Sequence, residues 1–319
     1  MFAVAGQPLQ NLFTRMMKIA SVEVDPIAAN PSVQERFEAI VGDANVEKIL
    51  GGFQFTEGPV WVPDGYLLFS DIPADTIYRW TPGSASAEVF RRPSGHSNGL
   101  TLDREGRLLA CEHDRRLSRT EKDGRVVAIA ERFEGRRLNS PNDVAVRSDG
   151  CVYFTDPPYG LPRQEEGREL GFNGVYRLTP DGTLTLLDDS FDRPNGLAFS
   201  PDERVLYVDD SRLGHIRAFD VQPDGSLLNG RVFAELRDPG REGVPDGMKV
   251  DVRGNVFCTG PGGVWVLEAA GELLGTIEVP EVPANLAWGD DDLKTLYFTA
   301  RTGIYRMRVQ TGGAPLVGA

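Results

Sequence analysis

Six segments of the chain share one pattern, and this repeat constrains the fold more than any other feature. Each segment has an apolar strand, a polar turn, a second strand and then a third, and in four of the six a glycine stands near the start of the first strand. A period of roughly 40–50 residues with several short strands and no helical periodicity is typical of a β-propeller. We therefore predict an all-β fold, a six-bladed β-propeller. The segments are anchored at Glu57, Asn98, Asn142, Asn195, Asp246 and Asn285.

The two ends of the repeat region predict how the ring closes. The last repeat is short, because only TGGAPLVGA follows its third strand at 303–309. The strand-like segment VEKILGGF, 46–53, precedes the first repeat and would supply the missing outer strand, which removes an exposed sheet edge. We assign 1–45 to an N-terminal extension, 46–311 to the propeller and 312–319 to a tail. Within the extension, 31–42 favours one short amphipathic helix, and 1–30 is expected to be loosely held.

The propeller geometry brings the six anchor residues together. The innermost strand of each blade runs beside the central axis, so the residues that open these strands should form one ring at one mouth of the tunnel. That ring would contain two carboxylates, Glu57 and Asp246, and four amides. Hard divalent cations such as calcium bind oxygens of carboxylates and amides. Asn and Asp before Gly are also common turn residues, but turn chemistry does not favour Glu57. The pattern therefore indicates a cation site.

The second strand of each blade returns to the same mouth, where its last residues would surround the ring. These residues include several acids: Asp71, Glu112, Asp156 and Asp210. A rim this polar favours a hydroxylated substrate over an aromatic one. The loop 157–174 is the longest, and long loops of this kind are often lids or binding loops. A disordered insertion is the alternative.

Charge and composition exclude several classes of protein. The chain has 34 basic and 47 acidic side chains, a net charge of −13, which disfavours nucleic acid and anionic membranes as partners. No apolar run reaches the roughly 20 residues of a membrane span, and the N-terminus lacks a signal-peptide pattern. Three widely spaced cysteines fit a reducing compartment. We expect a cytoplasmic protein, a monomer or dimer. No GxSxG elbow stands between a predicted strand and a predicted helix, which disfavours a serine hydrolase, and GxGxxG and P-loop motifs are absent.

Several stretches of sequence resemble the gluconolactonase family, which also includes regucalcin. They are FTEGPVW, LNSPNDVAV, FTDPPYG, RPNGLAFSPD, VPDGMKVD and CTGPGGVWV, and the likeness extends from about 45 to 310. The resemblance implies a six-bladed propeller that hydrolyses a sugar lactone, with glucono-1,5-lactone as the first candidate. It also implies one divalent cation as cofactor, calcium foremost, with zinc, magnesium or manganese left open.

The resemblance also assigns roles to individual residues. It implies that Glu57, Asn195 and Asp246 bind the metal directly and that Asn142 contacts it through water or substrate. Asp246 would also accept and donate the proton, and Glu169 matches a substrate-binding glutamate by its spacing to 174–176. There are two departures from the family. Ser140 stands where animal members carry Arg, and Lys249 stands where related phosphotriesterase propellers carry an Asp that holds a second calcium.

The reaction predicted from these residues is metal-assisted hydrolysis of a cyclic ester. Either Asp246 or a metal-bound hydroxide would activate the attack. Candidates for contacting sugar hydroxyls are Asn142, Asn98, His96, Glu169 and Asp210; a surface position is the alternative for His96. Two other classes of function stay open. One is an arylesterase or phosphotriesterase using the same site, and the other is a non-enzymatic propeller that binds partners.

Overall fold

The computed structural model describes residue 1 and residues 31–314, so the expectation for 1–30 and most of the predicted tail lie outside the described residues. The chain divides after Ser32, and the second unit contains one α-helix and all the strands. The helix, α1, spans Val33–Val41. It is the only α-helix among the described residues, and it is too short to cross a bilayer.

Six four-stranded antiparallel sheets form the blades of a propeller, which confirms the predicted fold. Blades one and two contain β2 Thr56–Val62, β3 Tyr66–Asp71, β4 Thr76–Trp80, β5 Glu88–Arg91, β6 Ser97–Leu102, β7 Leu108–Glu112, β8 Arg116–Thr120 and β9 Val126–Ala130. A small ribbon follows, β10 Arg132–Phe133 and β11 Arg136–Arg137. Blades three and four contain β12 Val144–Val146, β13 Val152–Asp156, β14 Asn173–Leu178, β15 Leu184–Phe191, β16 Pro194–Phe199, β17 Val205–Asp210, β18 His215–Val221 and β19 Leu227–Glu235. Blade five contains β20 Met248–Val250, β21 Val256–Gly260, β22 Gly263–Leu267 and β23 Leu273–Ile277.

Blade six joins the two ends of the propeller. It contains β24 Pro283–Gly289, β25 Thr295–Ala300 and β26 Gly303–Arg308, and its outer strand is β1, Glu47–Gly51. The two outer strands are antiparallel, with Glu47 opposite Arg306 and Gly51 opposite Gly303. The predicted closure of the ring by the N-terminal strand is thus confirmed. The sixth sheet therefore has four strands, like the other five sheets, although β1 comes from the opposite end of the propeller sequence.

The hydrophobic core lies between adjacent blades. One cluster joins blades six and one and includes Leu50, Trp61, Phe69 and Tyr297. The aromatic rings of Trp61 and Tyr297 stack at 5.5 Å, with one ring from each of the two blades. Face-to-face packing of sheets buries alternate side chains of each strand, and five further clusters fill the other blade interfaces and the space beneath α1. The three cysteines are free and buried, as predicted.

A glycine follows four of the six ring residues and allows adjacent inner strands to approach closely. The N–H of Gly196 donates to the Asp246 carbonyl at 2.8 Å, and a Cβ at Gly196 would lie 2.1 Å from that oxygen. The same relation joins Gly99 to the Asn142 carbonyl, where a Cβ would approach to 2.6 Å. These glycines therefore serve blade-to-blade contact at the axis rather than turn formation. The ring residues before them are held close together as a consequence.

Glu281 links the closing strand to blade six through four hydrogen bonds. Its carboxylate accepts from Lys48 Nζ at 2.6 Å, from the Thr302 N–H and hydroxyl at 2.8 Å each, and from the Tyr305 hydroxyl at 2.7 Å. Partial burial alone would raise the pKa of Glu281, but the bond from Lys48 and the other donors outweigh it and lower the pKa to about 2. A carboxyl with a depressed pKa stabilises the fold above its unfolded pKa of ~4.5.

We expect Glu281→Gln to lower the free energy of unfolding by about 1–3 kcal/mol at pH 7. Because the folded-state pKa is the lower one, this difference should shrink as the pH falls from about 4.5 to 2. Denaturant titrations at several pH values measure it. The matched control is Glu278→Gln, whose side chain is 78% exposed and pairs with Arg241. A Glu281→Gln difference that does not change with pH would contradict the assignment.

Candidate functional site at one mouth of the tunnel

Three amide side chains form a directed hydrogen-bond chain across blades two, three and four. Asn98 Nδ2 donates to Asn142 Oδ1 at 2.7 Å, and Asn142 Nδ2 donates to Asn195 Oδ1. All three residues are buried. Asn98 and Asn195 are the second residues of their inner strands, and Asn142 lies two residues before β12. Residues far apart in the sequence thus meet at the axis, where the repeat predicted a ring.

Two carboxyl groups complete the ring from blades one and five. Glu57 and Asp246 lie within hydrogen-bonding reach of each other, Asn195 reaches Asp246, and Asn285 reaches Glu57. Burial raises the pKa of Glu57 to about 7, with a further increase from the charge of Asp143. Burial and then the charge of Glu57 raise the pKa of Asp246 well above its usual range. The two carboxyl groups therefore repel each other when both are ionised.

Two buried acids, Asp143 and Asp209, lie beside the ring; the sequence placed Asp209 at this mouth without a role and did not single out Asp143. Burial and then the charges of Asp246 and Asp143 raise the pKa of Asp209. The predicted substrate contact was its neighbour Asp210. Successive side chains of a strand point to opposite faces, and Asp210 instead accepts hydrogen bonds from the backbone N–H groups of Asp192, Arg193, Arg212 and Leu213. We therefore leave Asp210 out of the proposed substrate contacts.

The donor set fits a hard divalent cation. Two carboxyl groups whose charges repel each other would be stabilised by a 2+ ion, and amide oxygens complete a coordination shell without adding charge. Asn98 Oδ1 is buried and lacks a hydrogen-bond partner within the described part of the chain, so an acceptor is available at the ring. Between residues 31 and 314 no three His, Cys, Asp or Glu side chains converge as a metal cluster. Binding at this ring would therefore depend on the amides.

Lys249 closes the tunnel beneath the ring. Its ammonium donates to the Met248 carbonyl at 2.9 Å and to Asn285 Oδ1 at 3.4 Å. Burial raises the pKa of Asp143, and the positive charge of Lys249 opposes this increase without cancelling it. Below this level the tunnel is an apolar cavity of about 220 Å³ lined by inner strands, including Val60, Leu100 and Leu197.

The structure does not place two of the predicted substrate contacts among the bonded ring residues. The His96 side chain is 47% exposed, and its Nδ1 pairs with Asp114 at 3.0 Å. Glu169 is exposed and accepts from the Arg137 N–H at 2.7 Å. Both residues lie on loops around the mouth, and their substrate roles stay predictions. Two acids of the predicted rim, Asp71 and Asp156, are less available to a substrate than expected. Both are buried, and their carboxylates accept hydrogen bonds from backbone N–H groups.

His113 and the loop 157–174 form the wall of the site. His113 Nε2 lies 3.3 Å from Asn98 Nδ2, and burial lowers the pKa of His113 to about 4. The loop packs directly against this histidine, since a Cβ on Gly160 would lie 2.5 Å from His113 Cβ. Leu161 and Leu170 are buried, so the loop is anchored rather than a disordered insertion. No local sequence signal distinguishes His113 from His96, because burial is decided by packing.

The fold and the ring together define the class of protein: a six-bladed propeller with an oxygen-rich polar site at one mouth of its tunnel. The chain belongs to the SMP-30/Gluconolactonase/LRE-like family, whose model matches residues 55–302.

Individual proteins that are similar to this chain include lactonases. The chain is 37% identical over 305 residues to a gluconolactonase of Zymomonas mobilis, covering 87% of this chain and 85% of the relative. It is 31% identical over 255 residues to a pentonolactonase of Haloferax volcanii, covering 77% and 81%. Among solved structures it is similar to a gluconolactonase from Xanthomonas campestris at a TM-score of 0.80 and 35% identity, covering 86% and 93%. The likeness therefore extends over nearly the whole propeller.

Proposed function

We propose that the chain is a lactonase that hydrolyses sugar lactones, with glucono-1,5-lactone as the first substrate, using one divalent cation held by the ring. The observation that carries this proposal is the contact between Glu57 and Asp246 beside three hydrogen-bonded amides. Relatives that act on aldonolactones support the substrate class. The cation would be held by Glu57, Asn195 and Asp246, with Asn142 as a further contact, and calcium suits these oxygen ligands best.

In this proposal the bound cation would polarise the lactone carbonyl and stabilise the negative charge that develops on its oxygen. Asp246 accepts a proton from the attacking water. The new C–O bond forms at the carbonyl carbon, and the ring C–O bond breaks. The proton then passes to the departing ring oxygen, which becomes a hydroxyl of the aldonic acid. Asn98 and Asn142 have the donors and acceptors to bind sugar hydroxyls, while His113, held neutral by burial, fixes Asn98.

The positive charge of Lys249 disfavours a second cation in the tunnel. Its ammonium lies at the level beneath the ring and bonds to Asn285, a ring residue. A second divalent ion at that level would meet a fixed positive charge. We therefore propose one divalent cation, at the mouth.

Metal-stripped protein titrated with calcium, magnesium, manganese and zinc tests the proposal. We expect glucono-1,5-lactone hydrolysis above the spontaneous rate only after cation is added, because the oxyanion otherwise lacks its main stabilising charge. Acid release followed with a pH indicator measures the rate, and protein kept in chelator is the control. Tight cation binding without lactone turnover would contradict the proposal and would redirect assays to aryl esters, phosphotriesters and protein partners.

A further inference from the structure

The amide of Asn195 is held from behind by Ser211. Asn195 is 5% exposed, and its Nδ2 donates to the Ser211 hydroxyl oxygen at 2.9 Å. Its Oδ1 lies on the opposite side of the amide and accepts from Asn142 inside the ring. Nitrogen and oxygen of an amide are nearly equal in size, so only their hydrogen-bond partners decide which one faces a given side. Because the Ser211 oxygen accepts a hydrogen bond, the amide atom of Asn195 that faces it is the nitrogen.

Ser211 lies near a residue of the neighbouring blade's loop. The Tyr159 hydroxyl is close enough to Ser211, Asp246 and Asp209 for all three to act on this phenol. The segment that carries Tyr159 is fixed at both sides: the Ser140 hydroxyl donates to the Pro157 carbonyl at 2.6 Å and accepts from the Gly160 N–H at 2.9 Å. Tyr159 therefore enters the site from a rigid segment rather than from a free loop.

We propose that Ser211 is a positioning residue that turns the Asn195 carbonyl oxygen toward the cation, and that Tyr159 holds the Ser211 hydroxyl for this task. The inference rests on the proposed function, since it assumes that the ring binds a cation. An amide oxygen is a cation ligand, whereas an amide NH₂ group presents hydrogens to the ion. Without the Ser211 hydroxyl the NH₂ loses the acceptor that holds it on the outer side of the amide, so the orientation with NH₂ toward the cation becomes more populated.

This relay also connects the loop to the ring. Its members come from blade three (Tyr159), the end of β17 (Ser211) and the start of β16 (Asn195). Groups that orient metal ligands from behind commonly change metal affinity by about 10–100-fold when removed. A hydroxyl that only stabilised the fold would alter the melting temperature without altering cation affinity.

The test is the cation dissociation constant of metal-stripped protein, measured by calorimetry with calcium and manganese. We expect Ser211→Ala to weaken binding by about 10–100-fold. Ser211→Thr keeps a hydroxyl and should restore most of the affinity. Tyr159→Phe should weaken binding by roughly two- to tenfold, the range of one neutral hydrogen bond. The matched control is Ser226→Ala in the same blade, whose hydroxyl bonds to Asp224 at 2.7 Å in a turn on the opposite face.

The outcomes separate this inference from the function on which it rests. If the wild-type protein binds none of the tested cations, the proposed function fails and the inference fails with it. If the wild-type protein binds cation and Ser211→Ala binds equally well, the inference alone is overturned. It is also overturned if Ser226→Ala weakens binding as much as Ser211→Ala does, or if Ser211→Thr restores nothing. Selective loss in Ser211→Ala with recovery in Ser211→Thr supports it.

Discussion

Asp246→Asn is expected to lower lactone turnover by at least about 1000-fold, because it removes both a proton acceptor and one of the two negative charges available to a cation. The measurement is kcat/KM for glucono-1,5-lactone at saturating calcium. The fold should persist, and thermal unfolding checks this. Ionised Glu57 and Asp246 repel each other, so the neutral amide removes an unfavourable interaction. We expect the metal-free variant to melt at the wild-type temperature or above it.

The control for this variant is Asp224→Asn, an acid-to-amide change at an exposed turn of blade four. It should leave turnover within about twofold of wild type, as surface substitutions usually do. If Asp246→Asn kept a tenth or more of the wild-type activity, Asp246 would be neither the proton acceptor nor an essential ligand. The search would then move to Glu57 and to the buried acids Asp143 and Asp209.

Leu50→Ala is expected to lower the free energy of unfolding by about 2–5 kcal/mol. Leu50 lies in the closing strand β1, is 7% exposed, and belongs to the cluster that includes Trp61, Tyr297 and Ile304. The truncation leaves a cavity at the one interface where blade six depends on a strand from the other end of the chain. Urea denaturation measures the loss.

The matched control is Glu47→Ala in the same strand. Its carboxylate pairs with Arg306 at 2.8 Å at the surface, and such pairs contribute about 0–1 kcal/mol. A Leu50→Ala loss below about 1 kcal/mol would mean that the packing of the closing strand contributes little to holding the ring together, and that its backbone pairing with β26 suffices.

Much of the fold was predictable because a propeller repeats its own constraints. Each blade carries similar apolar strands and a carboxylate or amide side chain at the start of its inner strand, so six weak signals support one another. The partner of the closing strand was also predictable, since the last repeat lacked one strand. The reason for the glycines was not predictable from one blade: the close approach of Gly196 to the Asp246 carbonyl exists only between neighbouring blades.

The candidate site was also predictable only in part. The sequence by itself determined the ring of Glu57, Asn142, Asn195 and Asp246, because strand starts in equivalent repeats must meet at the axis. Only the tertiary structure decided between neighbours in the chain. It turned Asp209 toward the ring and Asp210 toward backbone N–H groups, since successive side chains of a strand face opposite ways and the register depends on partner strands.

The same holds for the residues that surround the ring. His96 and His113 look alike in sequence, yet one is exposed beside Asp114 and the other is buried against Asn98 and Gly160. Ser211 and Tyr159 carry no motif, and they meet only because a loop of blade three reaches the end of β17. Repetition along the chain determined where the carboxyl and amide oxygens of the ring gather, whereas contacts between blades decided which side chains surround them, because those contacts join residues with no fixed spacing in the sequence.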